Sequence, residues 1–367
     1  MQEKSAVREK RRAGVLAAFW ARALCFAVLL AAALGYAAYA LIPKYDYGIC
    51  SMLNHYRQPR ESVDVLVVGT SIAYAGINTN VLWEEYGIAA YDLCSAEQPF
   101  WDSYYILKEA LKTQRPRLII LDAKPAIYTQ DYSRRSRIIM STFGILSPEN
   151  RLGAIRASLE DPDEVRDYLL AFPVLHNGYS KLEGSMLAFP PDNGDRGSAW
   201  KGFIEVDTVE KHSKPSFVWN SVKRPINARE EEYVRKIFAL AKEEGIPLLL
   251  VCMPNPDYKE DHMYMNYLWH VAEEYGASGL EGEVGINYNH PDLRFGLRYS
   301  SCFADWQHLN VKGSMIFSKR LGEDLKARYD LPDRRGDPAW ASWQEAADAW
   351  YARLLDFASS GLEEGAN

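Results

Sequence analysis

Three side chains have types and spacing that allow covalent chemistry. Ser71 closes the run Val63-Asp64-Val65-Leu66-Val67-Val68-Gly69-Thr70-Ser71, and Asp305 and His308 lie in Asp305-Trp306-Gln307-His308-Leu309-Asn310. A serine hydroxyl is a weak nucleophile until a neighbouring base takes its proton. An aspartate three residues before a histidine, on a loop entering a helix, can hold the imidazole Nδ1–H. That leaves Nε2 free to accept a proton, which is triad logic in another chain order. The other six histidines, His55, His176, His212, His262, His270 and His290, have no such partner pattern. Taken alone, Asp-x-x-His fits a helix N-cap or a merely hydrogen-bonded histidine equally well. A lone serine likewise fits a solvent-facing or capping role.

The elements that must position these residues follow an α/β rhythm. Val63–Val68 is a nearly continuous apolar run ended by Gly69, as expected of a strand buried on both faces of a parallel sheet. Ala89–Leu93, Arg117–Leu121 and Pro247–Cys252 repeat the pattern, and Ser278–Leu280 does so weakly. Between them lie helical patterns. Thr79–Tyr86 has Asn78 and Thr79 as possible caps and Gly87 as a stop, and Phe100–Thr113 and Arg229–Glu244 each carry one apolar face. Val311–Tyr329 is a further amphipathic stretch. Strands and helices in alternation predict parallel strands joined by right-handed crossovers. In such a sheet ligands bind beyond the carboxyl ends of the strands, which puts Ser71 at the mouth.

The rhythm breaks over 125–227, which reads as an insertion across one end of the sheet: a lid, a substrate wall or an embellishment. It holds short helical patterns around Ser147–Leu159 and Pro162–Ala171 and a turn-rich run, Phe189-Pro190-Pro191-Asp192-Asn193-Gly194. The tail at 331–367 carries Trp340, Trp343, Ala346, Ala347, Trp350 and Leu354 at helical spacing, a docked helix or a partner-binding one.

The front end is different in kind. The chain has 367 residues, 48% of them hydrophobic and 25% charged, an ordinary globular balance that excludes disorder. Its net charge of −7 argues against a general nucleic-acid binder, yet residues 1–43 carry +4 and the remainder −11. Ala23–Pro43 contains 21 residues without a charge, enough at about 1.5 Å each to cross a hydrocarbon core of about 30 Å. Trp20, Tyr36 and Tyr39 stand toward its ends, and Arg22 can snorkel. The expected organisation is a basic cytoplasmic tip (1–22), a membrane anchor (23–43), a polar connector (44–62) and an extracytoplasmic domain (63–330), with the basic excess inside. A cleaved signal peptide and a buried core helix are the alternatives, but the apolar stretch exceeds the usual signal core, although Ala38-Tyr39-Ala40 resembles a cleavage site.

Other constellations carry less. The five cysteines include no CxxC and no zinc pattern, and spacing leaves their pairing open; Cys94 and Cys252, ending apolar runs, read as small buried hydrophobes. Asp257, Glu260, Asp261 and His262 could suggest a metal but read better as a solvated helix start. Asn255, in Met253-Pro254-Asn255-Pro256, could enter the mouth or belong to a turn. No GxGxxG or Walker pattern follows Gly69, so no nucleotide cofactor is expected.

The combination of Gly-Thr-Ser after the first strand and Asp-x-x-His-Leu-Asn near the end of an α/β chain resembles the SGNH (GDSL-type) hydrolase superfamily. Residues 65–122, VLVVGTSIAYAGINTNVLWEEYGIAAYDLCSAEQPFWDSYYILKEALKTQRPRLIILD, resemble its cell-envelope branch, which includes the teichoic-acid D-alanyl transfer protein and polysaccharide O-acetylation proteins. The likeness covers about 63–122 and 230–325 and leaves out the insertion and the tail. It implies a three-layer α/β/α, flavodoxin-like domain held at the membrane by one N-terminal span. It implies Ser71 as nucleophile, His308 as base, Asp305 as its orienting acid and the Ser71 N–H as one oxyanion donor, with no cofactor or metal. Two departures matter. The second motif lacks its glycine over Asp92–Gln98, so an N–H near Cys94 or Ser95 would have to serve. The third lacks its asparagine, reading Asp122-Ala123-Lys124, which makes Lys124 a candidate substitute. One lost oxyanion donor costs about 10²–10³ in rate. The resemblance implies a serine O-acyltransferase or esterase acting on envelope polysaccharide or teichoic-acid-like polymers. The partner it implies is an acyl-delivering multi-pass membrane-bound O-acyltransferase. An inactive scaffold on the same fold and a plain carbohydrate acetyl-esterase are the alternatives.

Overall fold

The computed structural model describes residues 2–42, 47–175, 200–275, 284–293 and 295–364. At its centre is a parallel sheet of β1 (Val65–Gly69), β2 (Ala90–Cys94), β3 (Leu118–Asp122), β4 (Leu248–Cys252) and β5 (Gly285–Asn287), in the order β2-β1-β3-β4-β5. Val65 aligns with both Ala90 and Leu118, Ile119 with Leu248, and Leu250 with Gly285. Every residue of the first four strands is buried. Burial on both faces explains their nearly continuous apolar runs, interrupted only by Asp92 within β2 and Asp122 at the end of β3. Leu66, Val68, Ile119, Leu121, Leu248 and Leu250 feed one core, while Val65, Val67, Ile120, Leu249 and Val251 feed another.

Helices supply the other half of each core. Preceding the sheet are α1 (Gln2–Leu41) and α2 (Ile49–His55); α3 (Ser71–Gly76) and α4 (Thr79–Tyr86) follow β1, and α5 (Phe100–Ala110) follows β2. The insertion contributes α6 (Arg135–Thr142), α7 (Pro148–Ser158), α8 (Val165–Leu170) and α9 (Phe172–Leu175). After it come α10 (Ala228–Glu244), α11 (His262–Tyr275), α12 (Val311–Arg328) and α13 (Ala341–Glu364). Trp101 and Leu107 of α5, Val234 and Phe238 of α10 and Leu268 of α11 join the first core. Ile72 of α3 and Phe317, Leu321 and Leu325 of α12 join the second. The expected caps operate. Asn78 Oδ1 accepts the N–H groups of Asn80 and Val81, and Gly87 ends α4 in the left-handed region at φ 66°.

Three stretches differ from the sequence reading. The connector is not merely polar: α2 buries Ile49, Cys50, Met52 and His55, and Ser51 Oγ donates to the Asp92 carbonyl at 2.5 Å. An open sheet edge needs covering, and α2 covers part of β2. Lys201 covers more of it, since its carbonyl accepts the Asp92 N–H at 2.9 Å. The fifth strand begins at Gly285, and the weak candidate Ser278–Leu280 lies outside the described residues, as does the turn-rich run 189–194. The tail docks: Trp343 and Trp350 are buried, and Trp343 Nε1–H donates to the Ala90 carbonyl at 3.1 Å.

Arg12–Leu41 is long and apolar enough to cross a membrane, with a mean hydropathy of 2.2 over its best window. Leu24, Phe26 and Leu29 on it are each about two-thirds exposed. Toward its end the helix meets the domain, where Ala38 and Ile42 pack with Ile138, Ile155, Val165 and Leu175 of the insertion.

Lys201 ties the tail to the domain. Its Nζ donates to Gln58 Oε1 and Ser342 Oγ at 2.9 Å and lies 4.0 Å from the centre of the Trp343 ring. Burial pulls its pKa down to about 7. The unfolded chain keeps this proton up to the ordinary lysine value of about 10.4, so above about pH 7 the unfolded state binds more protons than the folded one. The lysine's contribution to stability therefore rises between about pH 7 and pH 10. Lys201→Met should flatten that rise, which urea unfolding midpoints of both proteins at about pH 7 and pH 9.5 would measure; an equal slope in the variant refutes it.

Candidate functional site

The first strand ends in a turn fixed by one carboxylate. Asp122, the last residue of β3, turns its Oδ2 to the Thr70 N–H at 3.0 Å and the Thr70 hydroxyl at 2.5 Å. Its Oδ1 accepts the Lys124 N–H at 2.9 Å. Burial raises the Asp122 pKa, and these hydrogen bonds pull against it. Gly69 permits the approach, because a Cβ there would stand 2.3 Å from Asp122 Cβ. Thr70 in turn caps α3 through Oγ1, which leaves Ser71 as the first helical residue. Its N–H is one of those that no carbonyl of its own helix can reach.

The opposite partner comes from a narrow loop closed by the bridge between Phe303 and Leu309. Within it, Asp305 Oδ1 accepts the N–H groups of Gln307 and His308 at 2.7 and 2.8 Å, while Oδ2 lies 2.8 Å from His308 Nδ1. Partial burial works against the charge on Asp305, but these donors outweigh it and hold the carboxyl below its usual range. Asn310, not Asp305, caps α12, accepting the Gly313 N–H at 3.0 Å. His308 Nε2 lies 2.8 Å from Ser71 Oγ. Two residues 237 positions apart thus meet in one hydrogen bond, with the far nitrogen held by Asp305.

The relay opens into a cavity of about 660 Å³, lined among others by Tyr74, Lys124, Tyr128, Arg137 and Trp306. The insertion forms one wall of it through residues 127–137. Of the sequence-derived oxyanion candidates, Ser71 and Lys124 line this cavity. Cys94 and Ser95 are not among its lining residues. The Ser95 N–H donates to the Gly69 carbonyl at 3.1 Å, and its hydroxyl pairs with Ser141 Oγ at 2.9 Å. Cys94 is buried at the end of β2 with its thiol toward the Val67 carbonyl, and burial pushes that thiol up. The Ser95 N–H thus extends the pairing of β2 with β1, a competition that a linear motif cannot register. Asn255 also belongs to structure, since its N–H donates to Asn289 Oδ1 and its side chain accepts the Asp257 N–H. Among the described residues no cluster of His, Cys, Asp or Glu is arranged to hold a metal.

Sequence reasoning missed several wall residues. Tyr74 is one turn after Ser71, on the same face of α3, and stacks on Tyr47 with ring centres 5.0 Å apart. Burial pushes its phenol up. The i, i+3 spacing was the available signal. Glu97 has φ 53°, a backbone conformation for which glycine is the usual choice and which costs another residue about 1–3 kcal/mol. Arg137 reaches it from the insertion, with Nε and Nη2 3.3 and 3.2 Å from its carboxylate oxygens. No local pattern links those two.

Compared with known proteins, the chain matches no family model and no curated sequence.

The Gly69–Asp122 contact gives a direct check. Gly69→Ala must displace the carboxylate that holds Thr70, and such overpacking costs about 1–3 kcal/mol. Urea unfolding of the variant should register that loss; unchanged stability would mean that the turn tolerates a side chain there.

Proposed function

We propose that the protein is a membrane-anchored serine O-acyltransferase or esterase of the SGNH kind, working outside the cytoplasm on acyl esters of envelope polysaccharide or teichoic-acid-like polymers. One observation carries the reading: the unbroken relay from Asp305 Oδ2 through His308 to Ser71 Oγ, each link 2.8 Å long. The strand order β2-β1-β3-β4-β5, with helices packed on both faces, supports the three-layer flavodoxin-like form of the fold, and Ser71 stands beside the β1/β3 switch point. The apolar stretch of α1 behind a basic tip supports an anchor with the domain outside.

In this mechanism Ser71 Oγ attacks the acyl carbonyl carbon while its proton passes to His308 Nε2, and Asp305 steadies the imidazolium. The oxyanion is met by the Ser71 N–H, with the Tyr74 hydroxyl and Lys124 as neighbours on the wall. Collapse breaks the bond to the leaving oxygen or sulfur, which takes the proton from His308, and acyl-Ser71 remains. A sugar or polyol hydroxyl, or water, then gives its proton to His308 and attacks the acyl carbon; the bond to Ser71 Oγ breaks, and His308 hands its proton to that oxygen, which frees Ser71. Aromatic walls suit a sugar acceptor. A multi-pass membrane-bound O-acyltransferase is the partner that would supply the acyl group.

A scaffold role on the same fold has two observations in its favour: Ser95 gives its N–H to Gly69, and alanine follows Asp122 where an asparagine is expected. A fluorophosphonate probe on the full-length protein separates the two. Labelling that disappears in Ser71→Ala supports the enzyme, and absence of labelling in folded protein supports the scaffold. With a small acyl ester, Ser71→Ala and His308→Ala should each lower turnover by about 10⁶ if the three residues act as a unit. Full-rate release to water without any acceptor would mark a plain acetyl-esterase.

A further inference from the structure

A second concavity lies along α11. It is a groove of about 340 Å³ whose lining includes Trp219, Lys223, Asn266, Trp269, His270 and Glu273. Its walls are held in place. Asn266 Nδ2 donates to the carbonyls of Asn220 and Val222 at 2.9 and 3.0 Å, tying the strand-like strap to the helix. Trp219 stacks on His262 with ring centres 5.0 Å apart and meets His290 edge-on at 4.4 Å. Trp269 lies against the sheet at Gly285, where a Cβ would come within 2.6 Å of its ring. Two indoles with an amide, an imidazole, a carboxylate and an ammonium around them match one ligand class. A hexopyranose offers apolar C–H faces to rings and a belt of hydroxyls to polar groups.

The position of the groove relative to the Ser71 cavity gives it a use. Asp257, Lys259 and Asp261 line that cavity, and α11 starts at the next residue, His262. Asn266, Trp269, His270 and Glu273 then follow at spacings that share one helix face. From Asp261 to Glu273 the helix axis rises about 18 Å, a span that a few linked sugar rings cover. Beneath the surface between the two sites the rings of Tyr258, Phe217, His262 and Trp219 pack in turn, with Tyr258 and His262 buried, so the Trp219 wall is braced from the side of the Ser71 cavity.

We propose that the groove is a second subsite for the sugar chain of a glycopolymer whose acylated or acceptor unit occupies the Ser71 cavity. The polymer's role rests on the acyl-transfer reading; sugar binding in the groove does not. The test uses full-length Ser71→Ala protein in detergent, titrated calorimetrically with tetramers of glucose, mannose, galactose and N-acetylglucosamine and with each monosaccharide. At least one tetramer should bind about tenfold or more tighter than its monosaccharide, and Trp269→Ala should remove that advantage. The double variant His270→Ala/Glu273→Ala changes only side chains that are 45% and 66% exposed, so it keeps the test open if Trp269→Ala fails to fold, and it should weaken the same tetramer. No binding by any tetramer, or binding unchanged in the folded variants, overturns the groove. Fluorophosphonate labelling of the unsubstituted protein runs alongside. Labelling without groove binding overturns the groove alone, whereas groove binding without labelling supports the groove and overturns the acyl-transfer reading.

Discussion

A single buried carboxylate organises the mouth of the sheet. Asp122 binds the backbone and hydroxyl of Thr70 and the backbone of Lys124, and so joins the ends of β1 and β3 beyond the reach of ladder hydrogen bonds. Its burial would be costly without those donors. With them, the Thr70 cap has only one place to stand, and Ser71 is fixed at the head of α3. His308 can meet Ser71 at hydrogen-bond distance because both sides of that meeting are held by acids: Asp122 at the end of β3 and Asp305 on the loop before α12.

The same economy governs the rest of the site. Asp305 spends one oxygen on the backbone of its own turn and the other on the imidazole, so loop shape and ring orientation depend on one side chain. Glu97 holds a strained backbone while Arg137 of the insertion grips its carboxylate. Strain of this kind persists where surroundings over-determine it, and here an inserted segment is part of those surroundings. The insertion is therefore a wall of the cavity and also a brace for the loop after β2.

Much of this was legible in the sequence because it rests on local rules. Nearly continuous apolar runs announced four of the strands, Asn78 and Thr79 with Gly87 announced the limits of α4, and the spacing in Asp305–His308 announced a held imidazole. The rest depends on contacts that no local rule encodes. The burial of α2 answers the exposed edge of β2. The loss of Ser95 as a donor follows from its bond to Gly69. Asp122 looked like the end of a strand because its three partners belong to other segments or to a backbone turn. Tyr74 was within reach of sequence reasoning, one turn from Ser71, whereas Arg137 enters from a region whose period had broken down.

Tyr47, whose ring lies on Tyr74, follows the last residue of α1 by only six peptide steps. Fully stretched, those steps span about 22 Å at most. With α1 as the proposed anchor, the floor beside Ser71 is moored on a short leash, and the packing of Ala38 and Ile42 against the insertion stiffens the mooring. The protein would then work at a fixed altitude above the lipid headgroups, so that a distant polymer has to be brought down to it.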